Sequence, residues 1–330
     1  MKLHFLGPGD TPLADPNTAA LEAVRAELLA AGGIAEAASP AAADAIILAE
    51  RYSFKEWRYI DRLLADPALG PNLHRVYTIN TDDCATGLLR GAYTSLPRRR
   101  FDPAIHAAVP YAHYPNRLVL EADAAPSGPP RHLATWRGNP KSNPRLRRRL
   151  LRCYAGSPHI VVAETSSWLN HSTDEQRSYV ELLRSGRFSL CPAGWAPATF
   201  RIYESMALGV APVIIADACV LPAGPRWEEC SLRVPERKLG ELARRLEARA
   251  GDASALGRNA RHAWAEHFSP DRVMACHAAQ LLGCLKLSLG TGDLAREKRR
   301  MRSLRTYWQN RWTVPQRLLR RMQRLKSAAA

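Results

Sequence analysis

The sequence predicts an α/β protein built from two parallel-sheet domains, and three observations carry that prediction. Short apolar runs alternate with amphipathic helical stretches along the whole 330-residue chain. A polar, Pro-rich break at 121–130, EADAAPSGPP, divides the alternation into two halves. The length suits two domains of ordinary size. A hydrophobic fraction of 46% is enough for two cores and excludes a disordered chain.

In the first half, apolar runs at 2–6, 45–49 and 75–81 read as buried parallel strands. A helix is expected over 18–31, and SFKEWRYIDRLLAD at 53–66 has the amphipathic pattern of a second. Gly7-Pro8-Gly9 follows the first strand but lacks the spacing of a dinucleotide-binding turn. In the second half, strands are expected at 132–136, 159–163, 187–190, 212–216 and 232–234, and helices at 143–153, 173–185, 199–208 and 236–249. The resulting division is a first domain at 1–120, a linker at 121–130, a second domain at 131–290 and a tail at 291–330. Two such domains imply a cleft between them, with ligands at the carboxyl ends of the strands.

The formal charge of +16 resembles a nucleic-acid signature until its distribution is read. Residues 296–326 hold twelve Lys or Arg against one Glu, leaving only +5 for the rest of the chain, so a nucleic-acid partner is not expected. The tail has Leu304, Tyr307, Trp308, Leu318, Met322 and Leu325 among its basic residues, with Pro315 as a break. That pattern suits an amphipathic segment on an anionic membrane surface, or a terminal helix packed back on the first domain. No apolar run has membrane-spanning length, and MKLHFLGPGD reads as a strand and turn, without the long apolar core and cleavage site expected of a signal peptide. Seven scattered cysteines without a Cys-x-x-Cys pair suggest a reducing compartment, so the expected location is the cytoplasm, at the inner face of the membrane.

The most informative stretch is LCPAGWAPATFRIYESMALGVAPVIIAD, residues 190–217. A strand enters a Gly/Pro/Trp turn, a helix beginning near Thr199 follows, and Arg201 and Glu204 share one face of it. The helix N-terminus and the Arg201 fork suit a phosphate, and Glu204 could accept from the two hydroxyls of a ribose. The same spacing also suits a surface ion pair.

The wider pattern resembles the exostosin-like glycosyltransferases, family 47. Leu190-Cys191-Pro192-Ala193-Gly194, Arg201, Glu204, Gly209, Pro212-Val213-Ile214-Ile215, Asp217, Leu221-Pro222 and Trp227 stand in the family's order, and RHLATWRGNPKSNPRLRRRLL at 131–151 is similar to its preceding strand, turn and helix. Ala193, Ser205 and Arg226 depart from the usual residues. The resemblance implies a GT-B arrangement of two Rossmann-like domains facing a cleft, with a nucleotide sugar in the second domain. It implies transfer to a glycan or lipid-linked glycan acceptor in cell-surface polysaccharide synthesis. Retaining GT-B enzymes carry a glutamate where this chain has Ala196, which favours the inverting reaction.

On that reading Gly194, Thr199, Arg201, Glu204 and Asp217 bind the donor, a UDP- or GDP-sugar, together with Arg137 and Lys141 of the earlier turn. Arg145 and residues 147–149 are assigned to an exposed helix face. No Asp-x-Asp motif occurs, so neither a metal nor another cofactor is expected. Asp82 and Asp83, at the end of a strand, are the candidate bases, with Glu50 and His113 competing; Trp195 and Trp227 are candidate pocket walls. A non-catalytic protein that binds sugar nucleotides or polyanions is the alternative.

Overall fold

Two parallel sheets organise the chain in the computed structural model, which describes residues 1–51, 58–83, 85–122, 128–165 and 172–306. The first sheet contains β1 (Lys2–Leu6), β2 (Ala35–Glu36), β3 (Ala45–Ala49), β4 (Val76–Asn80), β5 (Arg90–Tyr93) and β6 (His106–Ala108), in the order β2-β1-β3-β4-β5-β6. The second contains β7 (His132–Gly138), β8 (Ile160–Glu164), β9 (Gly186–Pro192), β10 (Ala211–Ile215) and β11 (Leu232–Arg233), in the order β11-β10-β9-β7-β8. All neighbouring strands in both sheets are parallel. β3, β4, β5 and β10 are buried along their full length, as strands covered on both faces must be.

The strand order of the second sheet places its functional edge. The chain lays down β7, adds β8 on one side, then crosses to add β9 on the other. Connections leaving β7 and β9 therefore depart to opposite faces and open a crevice at the carboxyl ends of those strands.

Most strands fall within a residue or two of the apolar runs, while β2, β5 and β6 lack such runs. β5 is the instructive case. It contains Arg90 and Gly91, and Gly91 has φ +129, where an added Cβ would lie 2.1 Å from the Thr78 carbonyl oxygen of β4. Arg90 is 5% exposed and its Nη2 donates to Glu297 Oε1 at 2.8 Å, with Glu297 4% exposed. A charged residue can occupy a central strand because its partner arrives from far along the chain.

That partner belongs to a return of the C-terminal segment onto the first sheet, which corrects the boundary expected at 290. Helix Val273–Ser288 packs on helix Ala19–Ala30, placing Leu281 and Leu285 in one core with Leu3, Val24 and Ile47. Tyr77 and Ser288 hydroxyls are 2.9 Å apart, and His277 Nε2 lies 2.8 Å from the Pro110 carbonyl. The next helix, Leu294–Arg302, buries Met301 in a core with Leu6, Leu73 and Val76. The basic segment is therefore packed on the first domain as far as residue 306, although Leu304 is 77% exposed. Tyr307, Trp308, Leu318, Met322 and Leu325 lie outside the described residues, as do much of the expected linker, most of the start of the 53–66 stretch and Cys84. No described helix is long and apolar enough to cross a membrane.

Segments that follow the strands of the first sheet also touch the second domain. Arg98 donates its backbone N–H to Ala218 O at 2.9 Å and Nη2 to Cys219 O at 2.9 Å. The Tyr111 and Phe200 rings are 3.9 Å apart.

The Arg90–Glu297 pair yields a sharp stability test. Glu297→Ala strands a guanidinium in the first sheet and is expected to cost about 3–5 kcal/mol, whereas replacing both residues with Met should recover most of that loss. Urea unfolding measures both variants. A loss below about 1 kcal/mol for Glu297→Ala would show that the pair does not tie the C-terminal segment to β5.

Candidate functional site

The carboxyl ends of β7 and β9 lead into the turns that build a cleft lined from both domains. β7 runs into Gly138-Asn139, and β9 runs into the Pro192-Ala193-Gly194 turn and then helix Phe200–Ala207. The cleft, about 260 Å3, is lined by both turns, by Arg201 and Glu204 of that helix, by Tyr179, and from the first domain by Asp83 and Tyr111. The helix is unusual in being buried throughout its described polar positions: Arg201 is 9% exposed and Glu204 6%. Those values exclude an ordinary surface ion pair. Gly209, at φ +67, ends the helix in the left-handed conformation and lets the chain turn into β10.

Packing fixes the direction of each charged group. Arg201 Nη2 donates to the Arg137 carbonyl, and its guanidinium lies 5.9 Å from the Trp136 ring and 5.5 Å from the Tyr179 ring. Its Nε–H finds no acceptor among the described residues. Glu204 accepts from the Tyr179 hydroxyl. Burial lowers the proton affinity of Arg201, but Tyr179 and Glu204 outweigh it, so the net shift is upward. Arg201 carries a permanent charge here.

Arg147 changes the electrostatic account of the site. Far from lying on an exposed helix face, it is 7% exposed and lines the cleft. Nε donates to Ala193 O at 3.1 Å, Nη1 to Asn139 O at 3.0 Å and Nη2 to Pro192 O at 3.2 Å. One side chain thus ties the β7 turn to the β9 turn. A Cβ on Gly194 would sit 2.8 Å from Arg147 Nη2, so the glycine admits the guanidinium. Burial, and then the neighbouring Arg201, push Arg147 down to about 9. Two guanidiniums compete here for very little negative charge, and an anion would relieve both. The signal was present in the sequence: Arg147 shares the apolar helical stripe of Leu150 and Tyr154, three and seven residues on.

The remaining expected site residues separate clearly. Arg137 lines the cleft with Nη1 3.1 Å from Ser178 Oγ and Nη2 3.9 Å from Glu175. Thr199 lines it as the extended residue preceding the helix, without a side-chain cap bond. Lys141 is exposed and outside the lining. Asp217 is also outside it: its N–H donates to Glu236 Oε1 at 3.0 Å, and its Oδ1 accepts from the Glu236 N–H at 3.3 Å. That reciprocal bond gives Asp217 a role in joining two loops.

Asp82 and Asp83 face different surroundings. Asp82 is 5% exposed and stands near the buried Glu50, whose carboxyl burial pushes up to about 7. Glu50 accepts from the Tyr59 hydroxyl and from Asn80 Nδ2 at 2.7 Å. Neither Asp82 nor Glu50 lines the cleft. Asp83 does, and its Oδ1 accepts from the Tyr111 hydroxyl at 2.7 Å. The Ser95 hydroxyl is 3.1 Å from the same tyrosine oxygen. His113 is near the Phe200 ring, with centroids 5.7 Å apart, but does not line the cleft. Trp195 is a cleft wall, 60% exposed, whereas Trp227 stacks on Phe268 at 5.8 Å and donates Nε1–H to Pro222 O. Among the described residues, no group of three metal-ligating side chains is assembled.

Comparison with known proteins agrees with the pattern of turns and helix. A probable glucuronoxylan glucuronosyltransferase of Arabidopsis thaliana is 37% identical over 118 residues, covering 35% of this chain and 24% of that protein. A probable beta-1,4-xylosyltransferase of the same plant is 44% identical over 73 residues, covering 22% and 18%. The matches thus span less than a quarter of the length of these relatives. Among solved structures, a sucrose-phosphate synthase from Thermosynechococcus elongatus has a TM-score of 0.39 and 14% identity, covering 86% of this chain and 98% of that one. The exostosin GT47 domain matches residues 38–249, taking in β3 through β11 and every described residue assigned to the cleft. By that match the chain belongs to the exostosin GT47 family.

Proposed function

We propose that this chain is an inverting glycosyltransferase that moves a sugar from a nucleotide-sugar donor to a hydroxyl of a glycan acceptor in polysaccharide synthesis. The observation that carries this reading is the buried pair Arg147 and Arg201 at the β7/β9 crevice, faced across the cleft by the Asp83 carboxylate of the other domain. The relatives' names point to glycosyl transfer, and the site chemistry supports it independently.

In the proposed reaction the donor diphosphate lies against the arginines, and Glu204 holds the ribose hydroxyls. Asp83, oriented by Tyr111, takes the proton from the acceptor hydroxyl as its oxygen attacks the anomeric carbon. The bond from that carbon to the diphosphate oxygen breaks, and its electron pair leaves on the nucleoside diphosphate. Arg201 and Arg147, with Arg137 at the rim, stabilise the charge that develops there. A base on one wall and the leaving-group cations on the other suit a single displacement with inversion. Trp195, exposed at the rim, offers a flat apolar face to a sugar or a nucleobase.

Three results test the proposal. Arg201→Ala and Glu204→Ala should each weaken UDP or GDP binding about ten- to a hundredfold, the equivalent of roughly 1.5–3 kcal/mol, in calorimetry on folded protein. Unchanged affinity in both would return these residues to a purely structural role. Asp83→Asn should lower transfer about a hundredfold or more while leaving nucleotide affinity within about twofold, and NMR of the wild-type product should show the inverted anomer. Near-normal turnover by Asp83→Asn, or a retained anomer, would remove Asp83 as the base. Finally, because arginines supply the charge at the diphosphate, turnover should survive EDTA; loss restored by Mg2+ or Mn2+ would overturn that assignment.

A further inference from the structure

Helix Pro144–Tyr154 carries its charges in an arrangement that folding alone does not favour. Leu146, Arg147, Leu150 and Tyr154 are buried, while Arg145, Arg148, Arg149 and Arg152 are exposed. At 3.6 residues per turn, those four arginines fall within an arc of about 100° on the outward face. Arg145 and Arg149, like Arg148 and Arg152, are four residues apart, a spacing at which like charges repel. Arg145 also stands in the first turn, where no acidic residue offsets it and the helix dipole opposes a positive charge. The bias extends beyond the helix: residues 124–163 contain seven arginines and one lysine without a single Asp or Glu.

No carboxylate answers this face from the neighbouring elements. Among the described residues, the side chains of Arg145, Arg148 and Arg152 make no hydrogen bond or ion pair. Arg149 Nη2 donates to Arg237 O at 3.3 Å, which brings the exposed Arg237 of the adjoining turn Glu236–Glu241 beside the helix. In that turn Glu236 accepts from the Asp217 N–H, and Glu241 pairs with Lys238, Arg244 and Arg245. Glu164 ends β8, on which the helix packs, and forms no ion pair with any of the four arginines. Just before the helix, Lys141 is exposed and the adjacent Ser142 lines the donor cleft. The cationic stripe therefore starts at the mouth of the cleft and runs two helical turns away from it.

We propose that this stripe is a docking track for an acidic glycan, a polysaccharide bearing carboxylates, that extends from the donor cleft along helix Pro144–Tyr154. Arginine forks match carboxylate oxygens in pairs, where lysine would offer a point charge. The stripe is one helix wide and linear, the shape that an extended chain follows. No large apolar side chain is exposed on this helix to enter a lipid surface, and no aromatic is exposed to stack on a nucleobase. That the docked glycan is the acceptor rests on the transferase reading; that the stripe holds a polyanion of this class does not.

Fluorescence anisotropy of a labelled oligogalacturonate, titrated with the full-length chain at low salt, tests this. Wild-type protein should bind it, more weakly as salt rises, and should bind an uncharged cello-oligosaccharide of equal length far less. Arg145→Gln/Arg148→Gln/Arg152→Gln should lower oligogalacturonate affinity at least about tenfold while leaving UDP or GDP affinity within about twofold. Its melting temperature should hold or rise, because the substitutions relieve repulsion between exposed like charges. Arg258→Gln/Arg272→Gln/Arg299→Gln removes the same charge from exposed positions elsewhere and should bind oligogalacturonate as wild type does. Wild-type affinity in the first variant, or an equal loss in the second, would overturn the proposal, as would equally tight binding of the uncharged oligosaccharide. Phosphatidylglycerol vesicles or single-stranded DNA bound more tightly through the same arginines would instead assign the stripe to a membrane or a nucleic acid. Nucleotide affinity is read on the same proteins, so failure of the donor site leaves this result standing, and failure here leaves the donor site intact.

Discussion

Burial of Arg147 and Arg201 around Trp136 is the constraint on which the rest of the second domain depends. The two guanidiniums lie 5.8 and 5.9 Å from the same indole, which is itself fully buried. Two cations held this close are unfavourable unless their hydrogens are satisfied and negative charge is near. Backbone carbonyls of both crevice turns satisfy Arg147, and Glu204 with Tyr179 offsets Arg201. The turns therefore take their shape from the arginine, and the arginine is held in place by the turns. What remains is a shortage of negative charge at the mouth of a cleft, which is the property a diphosphate site needs before its ligand arrives.

The first domain supplies the other wall, and its position follows from chain connectivity. Tyr111 packs its ring against Phe200 while its hydroxyl orients Asp83, so one side chain sets both the domain contact and the carboxylate. Arg98 bonds the loop after β10 from the same side. The C-terminal helices then cross back to close the core of the first sheet, with the Arg90–Glu297 pair as a buried ionic tie. A domain division read as two consecutive blocks misses this return. The physical unit is a first sheet completed by the end of the chain.

Local chemistry explains how much was legible beforehand. β3, β4 and β10 are apolar runs buried on both faces, and such runs announce themselves. The Leu190–Gly194 turn and the Arg201/Glu204 helix were legible because their residue types and spacing are local. β5 was not, since Arg90 and Gly91 make sense only beside Glu297 and the Thr78 carbonyl. Arg147 was hidden among four neighbouring arginines and could be singled out only by its place on the stripe of Leu150 and Tyr154. Asp82 and Asp83 were indistinguishable as adjacent carboxylates; a strand end turns one inward toward Glu50 and the other into the cleft. Asp217 and Lys141 stood in the right order along the chain but outside the lining, because order does not fix direction.

The most direct test of the arginine-centred donor site is a crystal structure of the protein soaked with UDP or GDP. The expected result places the diphosphate within hydrogen-bonding distance of Arg201 and Arg147, with the ribose hydroxyls at Glu204 and the Asp83 carboxylate across an open space of sugar size. A nucleotide bound with its diphosphate away from both arginines, or bound outside the β7/β9 crevice, would contradict it.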